Sequence, residues 1–179
     1  FYGARLWGKN FRALMEHHPV YVDARDALAG RWMYILQRLR PFESATSAAN
    51  LEMAPVFNYE HLKPLHKKYG ILPGIGKMHH FAGDYHIGLS LGWGGLLKKV
   101  RHYAAQYPDK AEFYAAEEDV LLGVQSWISR TVERIREMIP QEQDASLQEN
   151  LQEMLEANEW LIENPPRNFR EACQWIAWN

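Results

Sequence analysis

Cysteine is almost absent from this sequence, which has a single one, Cys173, in 179 residues. One cysteine excludes an internal disulfide framework and an all-cysteine metal cluster built from this chain alone. A surplus of charge is also missing, because 20 basic and 22 acidic residues give a net charge of −2. A protein without a surplus of basic residues does not bind a polyanion such as nucleic acid through counterion release. We therefore expect a reducing, cytoplasmic location and no nucleic-acid partner.

Long hydrophobic runs are missing too. No segment approaches the roughly 20 apolar residues that a membrane-spanning helix needs, so we expect no membrane partner. Hydrophobic residues nevertheless make up 47% of the chain, which is enough to bury the core of one domain. We expect residues 1–179 to form a single helical region.

The two chain ends favour a piece of a longer polypeptide. The sequence opens on Phe1, and it stops at Asn179 inside an apolar helical pattern that no glycine or proline closes. The tryptophans of this chain also present large aromatic faces, which usually need a partner surface. We therefore expect the rest of a parent polypeptide to cover them.

Apolar periodicity predicts a mainly α chain with at most one or two short strands. Pro41, Pro108, Pro140 and the Asn164-Pro-Pro run interrupt the pattern. Asn168 is expected to cap the last helix, with Glu171 completing something close to a capping box. The predicted helices are 23–40, a short one at 59–69, 89–106, one from Pro108-Asp109 to Met138, 147–161 and one after Asn168, with a candidate strand at 75–81.

The window from Gly74 to Leu97 is the candidate site, because it holds seven glycines, three histidines and an aspartate. So many glycines allow the backbone to approach another backbone segment or a ligand closely. Gly74-x-Gly76-Lys77 lacks the other residues of a phosphate loop. His79, His80, Asp84 and His86 match no standard metal-site spacing, so a pocket-lining histidine is favoured over a metal site. Cys173 is expected to be a buried structural thiol.

Two segments resemble glycyl radical enzymes of the pyruvate formate-lyase and diol dehydratase superfamily. The first is His80-Phe-Ala-Gly-Asp84-Tyr85 with the glycines and leucines after it, similar to the family run Gly-His-x-x-x-Asp-Tyr-x-x-x-Leu-x-x-Gly-x-x-Gly-Leu. His79 stands where the family glycine precedes the histidine. The second is Asn164-Pro-Pro-Arg-Asn-Phe-Arg-Glu-Ala-Cys-Gln-Trp, similar to Asn/His-Pro-Pro-Arg-Thr-Phe-x-Glu-Ala-Leu-Gln. The resemblance covers roughly residues 50–178.

This resemblance implies the helical N-terminal part of a larger α/β barrel enzyme of anaerobic metabolism, of the lyase, dehydratase or formate acetyltransferase type. Its chemistry needs a thiyl cysteine and a glycyl radical that a radical S-adenosylmethionine activase installs. The family's cysteine loop and its glycine loop are both missing from this sequence, so we expect no cofactor, no metal and no catalytic residue in this chain. The chain alone is expected to be inactive. The implied partners are the activating enzyme, a small oxygenated substrate and, in a homodimer, a second copy.

The segment of His80, Asp84 and Tyr85 resembles one that shapes the substrate pocket, so these three are the candidate substrate-binding residues. A carboxylate or imidazole near a diol can hydrogen-bond a hydroxyl and exchange its proton. In the structural alternative, Asp84 caps the following helix and His80 packs in the core. A second alternative for the whole chain is a non-catalytic helical interaction module derived from such an enzyme.

Overall fold

A computed structural model describes residues 3–30 and 83–179, together with Pro64 and Lys68. The chain divides into two compact units, one of residues 1–33 with 84–179 and one of residues 34–83. Almost all described residues belong to the first unit. The predicted strand at 75–81 and His80 lie outside the described residues. Of the predicted short helix at 59–69, only Pro64 and Lys68 are described, and both are helical.

The described residues form α-helices joined by short connections, and none of them is in a strand, as the mainly α prediction requires. Three predicted helices are confirmed to within a few residues, and the last begins directly after Asn168. None of the helices in this part of the chain is long and apolar enough to cross a membrane. The elements are α1 (Ala4–His17), α2 (Tyr85–Gln106), a 3₁₀ turn (Pro108–Lys110), α3 (Ala111–Met138), a second 3₁₀ turn (Ile139–Gln141), α4 (Ala145–Leu161) and α5 (Phe169–Trp178).

The longest helix, α3, lies at the centre of this unit, and α1, α2 and α4 pack against it. Its inner face carries Trp127, Ile128 and Ile135, which are at most 2% exposed. Leu151 and Leu161 of α4 are fully buried against them. Each such side chain contributes about 1.5 to 3 kcal/mol by leaving water. The core of this unit therefore depends on the apolar stripe that the sequence pattern predicts.

Glycine lets α1 lie close to α3. A Cβ atom on Gly8 would stand 2.6 Å from the backbone of Ala116, so only glycine permits this approach. At the far end of α1, the Arg130 guanidinium donates to the carbonyl oxygens of Met15 at 2.6 Å and His18 at 2.7 Å. These are orphan carbonyls at a helix C-terminus, and a cation there also opposes the negative end of the helix dipole. Arg130 therefore caps α1 from a neighbouring helix.

The predicted helix at 23–40 is wrong over its described part, because residues 19–30 form turns, bends and irregular chain. The Asp23 carboxylate accepts the Arg25 N–H at 2.9 Å, a local bond that competes with helix formation. The Asn150 side chain donates to the carbonyl oxygens of Ala24 and Asp26. Ala24 is buried, as its place in the apolar stripe predicts, but it is buried as part of a loop.

The Gln174 side chain of α5 forms two hydrogen bonds to the backbone of Ala29. Its Oε1 accepts the Ala29 N–H at 2.7 Å, and its Nε2 donates to the Ala29 carbonyl at 2.9 Å. Asn158 of α4, fully buried, accepts the Trp178 indole N–H at 2.8 Å beside this pair. A glutamine amide thus supplies the donor and the acceptor that a second strand would otherwise provide.

Replacing Gln174 with methionine is expected to lower the free energy of unfolding by about 2 to 4 kcal/mol, because a buried N–H and a buried carbonyl lose their partners. Urea denaturation followed by circular dichroism measures the change. Gln152→Met, at an exposed position of α4, is the control and should change stability by less than about 0.5 kcal/mol. Equal effects of the two substitutions would contradict the role of Gln174.

Candidate functional site

The N-terminus of α2 carries two of the three predicted site residues. Asp84 is the N-cap, and its Oδ1 accepts the His86 N–H at 3.1 Å. Because this bond satisfies one of the free N–H groups at the helix start, α2 begins at Tyr85 rather than at the predicted residue 89. The other carboxylate oxygen, Oδ2, has no hydrogen-bond partner among the described residues. Capping and ligand binding are therefore compatible roles for Asp84.

Tyr85 lies next to Asp84 at the surface of this unit. Its side chain is 42% exposed, and its hydroxyl forms no hydrogen bond with a described residue. His86 is exposed on the same first turn. Asp84, Tyr85 and His86 are thus all exposed at the start of α2, where a polar ligand can reach each of them. His80 and His79 lie outside the described residues, and within these residues no three His, Cys, Asp or Glu side chains converge on a metal position.

Gly92 breaks α2 into two segments. Its φ of 64° and ψ of 175° lie outside the helical region, in backbone conformations that residues with a side chain rarely adopt. A Cβ atom at this position would stand 2.3 Å from the Asn164 carbonyl carbon and 2.4 Å from the Pro165 nitrogen. Just after the break, the Gly94 N–H donates to the Glu163 carbonyl at 2.8 Å. The break docks α2 onto the backbone that joins α4 to α5.

The segment of α2 before the break, residues 85–91, rests on α5 through a second glycine. A Cβ atom on Gly88 would come within 1.9 Å of the Trp175 ring. The same ring stacks on Trp93 with centroids 4.8 Å apart. Trp175 therefore fills the space that the missing side chain of Gly88 leaves. The glycine-rich motif and the Asn-Pro-Pro-Arg motif thus contact each other, and the contact fixes the segment that carries Asp84 and Tyr85.

The connection between α4 and α5 is held by side chains of its own motif. The Trp160 indole N–H donates to the Pro165 carbonyl at 2.7 Å. The Arg167 guanidinium lies 4.5 Å from the centroid of the same indole ring, a cation–π contact. This connection is the surface on which Gly92 rests.

Asn168 caps α5 as predicted, since its Oδ1 accepts the Glu171 N–H at 2.9 Å. The expected capping box differs in one detail, because the Glu171 carboxylate accepts the Arg167 N–H at 2.6 Å instead of the N–H of the cap residue. Glu171 also pairs with the Arg167 side chain at 2.6 Å, although its own side chain is buried. Burial opposes ionisation, but the hydrogen bonds from Arg167 outweigh it, so the pKa of Glu171 lies below 4.5.

This pKa shift predicts a pH dependence of stability. Because the folded protein holds Glu171 at a lower pKa than the unfolded chain does, the stabilisation is fully present above pH 4.5. It is lost as the pH falls through the folded-state pKa. We expect Glu171→Gln to reduce the drop in unfolding free energy between pH 7 and pH 3, measured by urea denaturation. Glu149→Gln, at an exposed position of α4, should leave that drop unchanged; an equal reduction would contradict this account.

Residues 65–179 match the model of the family described as pyruvate formate lyase-like. The chain belongs to the pyruvate formate lyase-like family. No curated protein sequence matches it with significance.

Three solved structures share this fold, and one of them is described as a glycyl radical enzyme. Together with the family match, they confirm the resemblance found in the sequence. The glycerol-bound B12-independent glycerol dehydratase from Clostridium butyricum is 13% identical with a TM-score of 0.75. A structure of 1,2-propanediol dehydration in Roseburia inulinivorans is 16% identical with a TM-score of 0.76. A glycyl radical enzyme from Archaeoglobus fulgidus is 18% identical with a TM-score of 0.74. Each match covers 98% of this chain and 28% of the neighbour.

The pairing of Gly88 with Trp175 is the part of this family member's site that sequence reasoning missed. A glycine inside a helix and a tryptophan at the end of the other motif are its only signals, and neither says that they touch. Cys173, expected to be buried, is partly exposed on α5 as a free thiol. It has no hydrogen bond or ion pair to a described residue that would activate it.

Proposed function

We propose that this family member is the N-terminal region of a glycyl radical enzyme that dehydrates a small diol or polyol in the cytoplasm. The observation that carries the proposal is the contact between the two family motifs, which supports the first turn of α2, at whose start Asp84 and Tyr85 are exposed. Two of the three structural neighbours are described by diol or polyol substrates, glycerol and 1,2-propanediol. The chain spans 28% of their length.

In this proposal, Asp84, Tyr85 and His80 bind hydroxyl groups of the substrate. The Asp84 Oδ2 accepts a hydrogen bond from one hydroxyl while Oδ1 keeps the helix cap. A carboxylate in this position can also take the hydroxyl proton, and the phenol of Tyr85 can donate to the departing hydroxyl oxygen. Together they orient a vicinal diol for loss of water to an aldehyde.

The residues that carry the radical are proposed to lie in the remainder of a longer polypeptide. A glycyl radical and a thiyl cysteine would supply abstraction of the substrate hydrogen atom, and an S-adenosylmethionine-dependent activase would install the radical. Cys173 does not fit the thiyl role, because it sits within α5 in the motif that supports the site. We propose that residues 1–179 alone are inactive.

Anaerobic expression of the whole polypeptide that contains these residues, together with its activase, tests the proposal. We expect an electron paramagnetic resonance doublet from the glycyl radical and conversion of 1,2-propanediol or glycerol to the aldehyde. Cleavage of pyruvate in the presence of coenzyme A instead would assign the formate acetyltransferase type. An absent radical signal, with a folded protein and an active activase, would favour the non-catalytic interaction module.

A further inference from the structure

A second feature lies away from the start of α2, in a depression between α1 and α3. It has a volume of about 230 Å³ and is lined by Ala4, Trp7, Phe113, Ala116, Glu117 and Val120. Trp7 is 62% exposed and Phe113 is 50% exposed, although both are large aromatic residues that usually lie against a partner. The Trp7 ring stacks on Phe11 with centroids 5.5 Å apart, but much of Trp7 and of Phe113 stays open at the rim of the depression.

Glu117 is the ionisable residue of this lining. Its carboxylate forms no hydrogen bond or ion pair with a described residue. Its neighbours on the same helix differ, because Asp119 accepts hydrogen bonds from Arg5 and Arg12, and Glu118 pairs with Arg101 at 2.7 Å. Burial raises the pKa of Glu117, and no nearby charge contributes to that shift. A carboxylate is thus half-buried among apolar groups, and no cation of the described residues pairs with it.

We infer that this depression receives a lysine or arginine side chain from a polypeptide segment that packs across α1 and α3. The faces of Trp7 and Phe113 attract a cation electrostatically. The alkyl stem of such a side chain would cover Ala4 and Val120, while its charged head reaches Glu117. A purely apolar partner would bury the carboxylate without compensation, which is costly. The charge in the depression therefore selects a basic partner residue.

Binding of the side-chain analogue n-butylguanidinium to the unaltered protein tests this inference directly. N-butylurea has nearly the same shape without the charge and serves as the neutral probe. The indole N–H resonance of Trp7, assigned with Trp7→Phe, reports binding in ¹⁵N NMR titrations. We expect the cation to bind about tenfold more tightly than the urea, as a charge-assisted contact with a carboxylate should.

Two variants and a control locate the effect. Glu117→Gln should bring the two probes to within about twofold of each other, and Phe113→Ala should weaken the binding of both. Glu112→Gln, exposed in the first turn of the same helix, should leave the difference intact. Equal binding of the two probes to the unaltered protein, or a difference that survives Glu117→Gln, would overturn the inference.

A second copy of the chain is the competing occupant. If the Trp7 resonance moves with protein concentration and sedimentation equilibrium shows a dimer that Trp7→Asp dissociates, the face is a self-association surface and the inference is wrong. A monomer with charge-selective binding supports it. Neither measurement uses turnover, so failure here leaves the proposed enzymatic function untouched.

Discussion

Replacing Gly92 with alanine is expected to lower the free energy of unfolding by about 3 to 5 kcal/mol, which is among the largest effects a single substitution produces. Two costs add. Alanine at a φ of 64° and ψ of 175° is strained, and its Cβ would overlap the backbone of Asn164 and Pro165. Because those atoms are main-chain atoms inside a rigid connection, no rotamer change relieves the overlap.

Gly95→Ala is the matched control, because Gly95 belongs to the same helix and the same family motif. Its φ is not positive, and the nearest atom to an added Cβ is the Leu91 Cβ at 3.0 Å. Alanine also gains about 1 kcal/mol over glycine in a helix interior. The control should therefore change stability by less than about 1 kcal/mol in either direction. Thermal and urea denaturation of both variants measure the contrast, and equal losses would show that the break at Gly92 is not required.

On the proposed function, Asp84→Asn in the whole enzyme is expected to lower kcat/KM for the diol by about 100-fold while leaving the melting temperature nearly unchanged. The reason is that asparagine caps a helix as well as aspartate does, but it cannot accept a proton from a substrate hydroxyl. The substitution thus separates the two roles that the structure leaves open for Asp84. Steady-state kinetics and calorimetry on one preparation give both readouts.

Asp144→Asn supplies the control for that experiment. Asp144 is also an aspartate N-cap, since its Oδ1 accepts the N–H groups of Ser146 and Leu147 at the start of α4. It should behave as Asp84→Asn does in stability and leave kcat/KM unchanged. Should Asp84→Asn keep full activity, Asp84 is a capping residue alone and the pocket role is wrong.

Local signals in the sequence predict most helices of this unit and the cap at Asn168, because apolar spacing, proline and capping residues act within one element. The segment at residues 23–30 could not be predicted in this way. Its apolar stripe is real, but its backbone groups are satisfied by Gln174 and Asn150, which lie far along the chain. Tertiary hydrogen bonds replaced the helical ones there.

The candidate site also combines features that the sequence predicts with features that it does not predict. A capping role for Asp84 is readable from the residue type and its place before a helical stripe. Glycine content also indicates close approach of backbone. The identity of the approaching groups, Asn164 and Trp175, depends on how two distant segments pack, and no spacing rule supplies that information.

The contact between Trp175 and Gly88 also affects the order in which segments fold during synthesis. Domains assemble as the chain leaves the ribosome, with the N-terminal part first. The helices α1, α3 and α4 can bury most of their shared core before α5 has emerged. The first turns of α2 then lack the Trp175 ring that supports them, because that residue is made much later. We therefore expect Asp84 and Tyr85 to reach their final positions only after α5 has been synthesised.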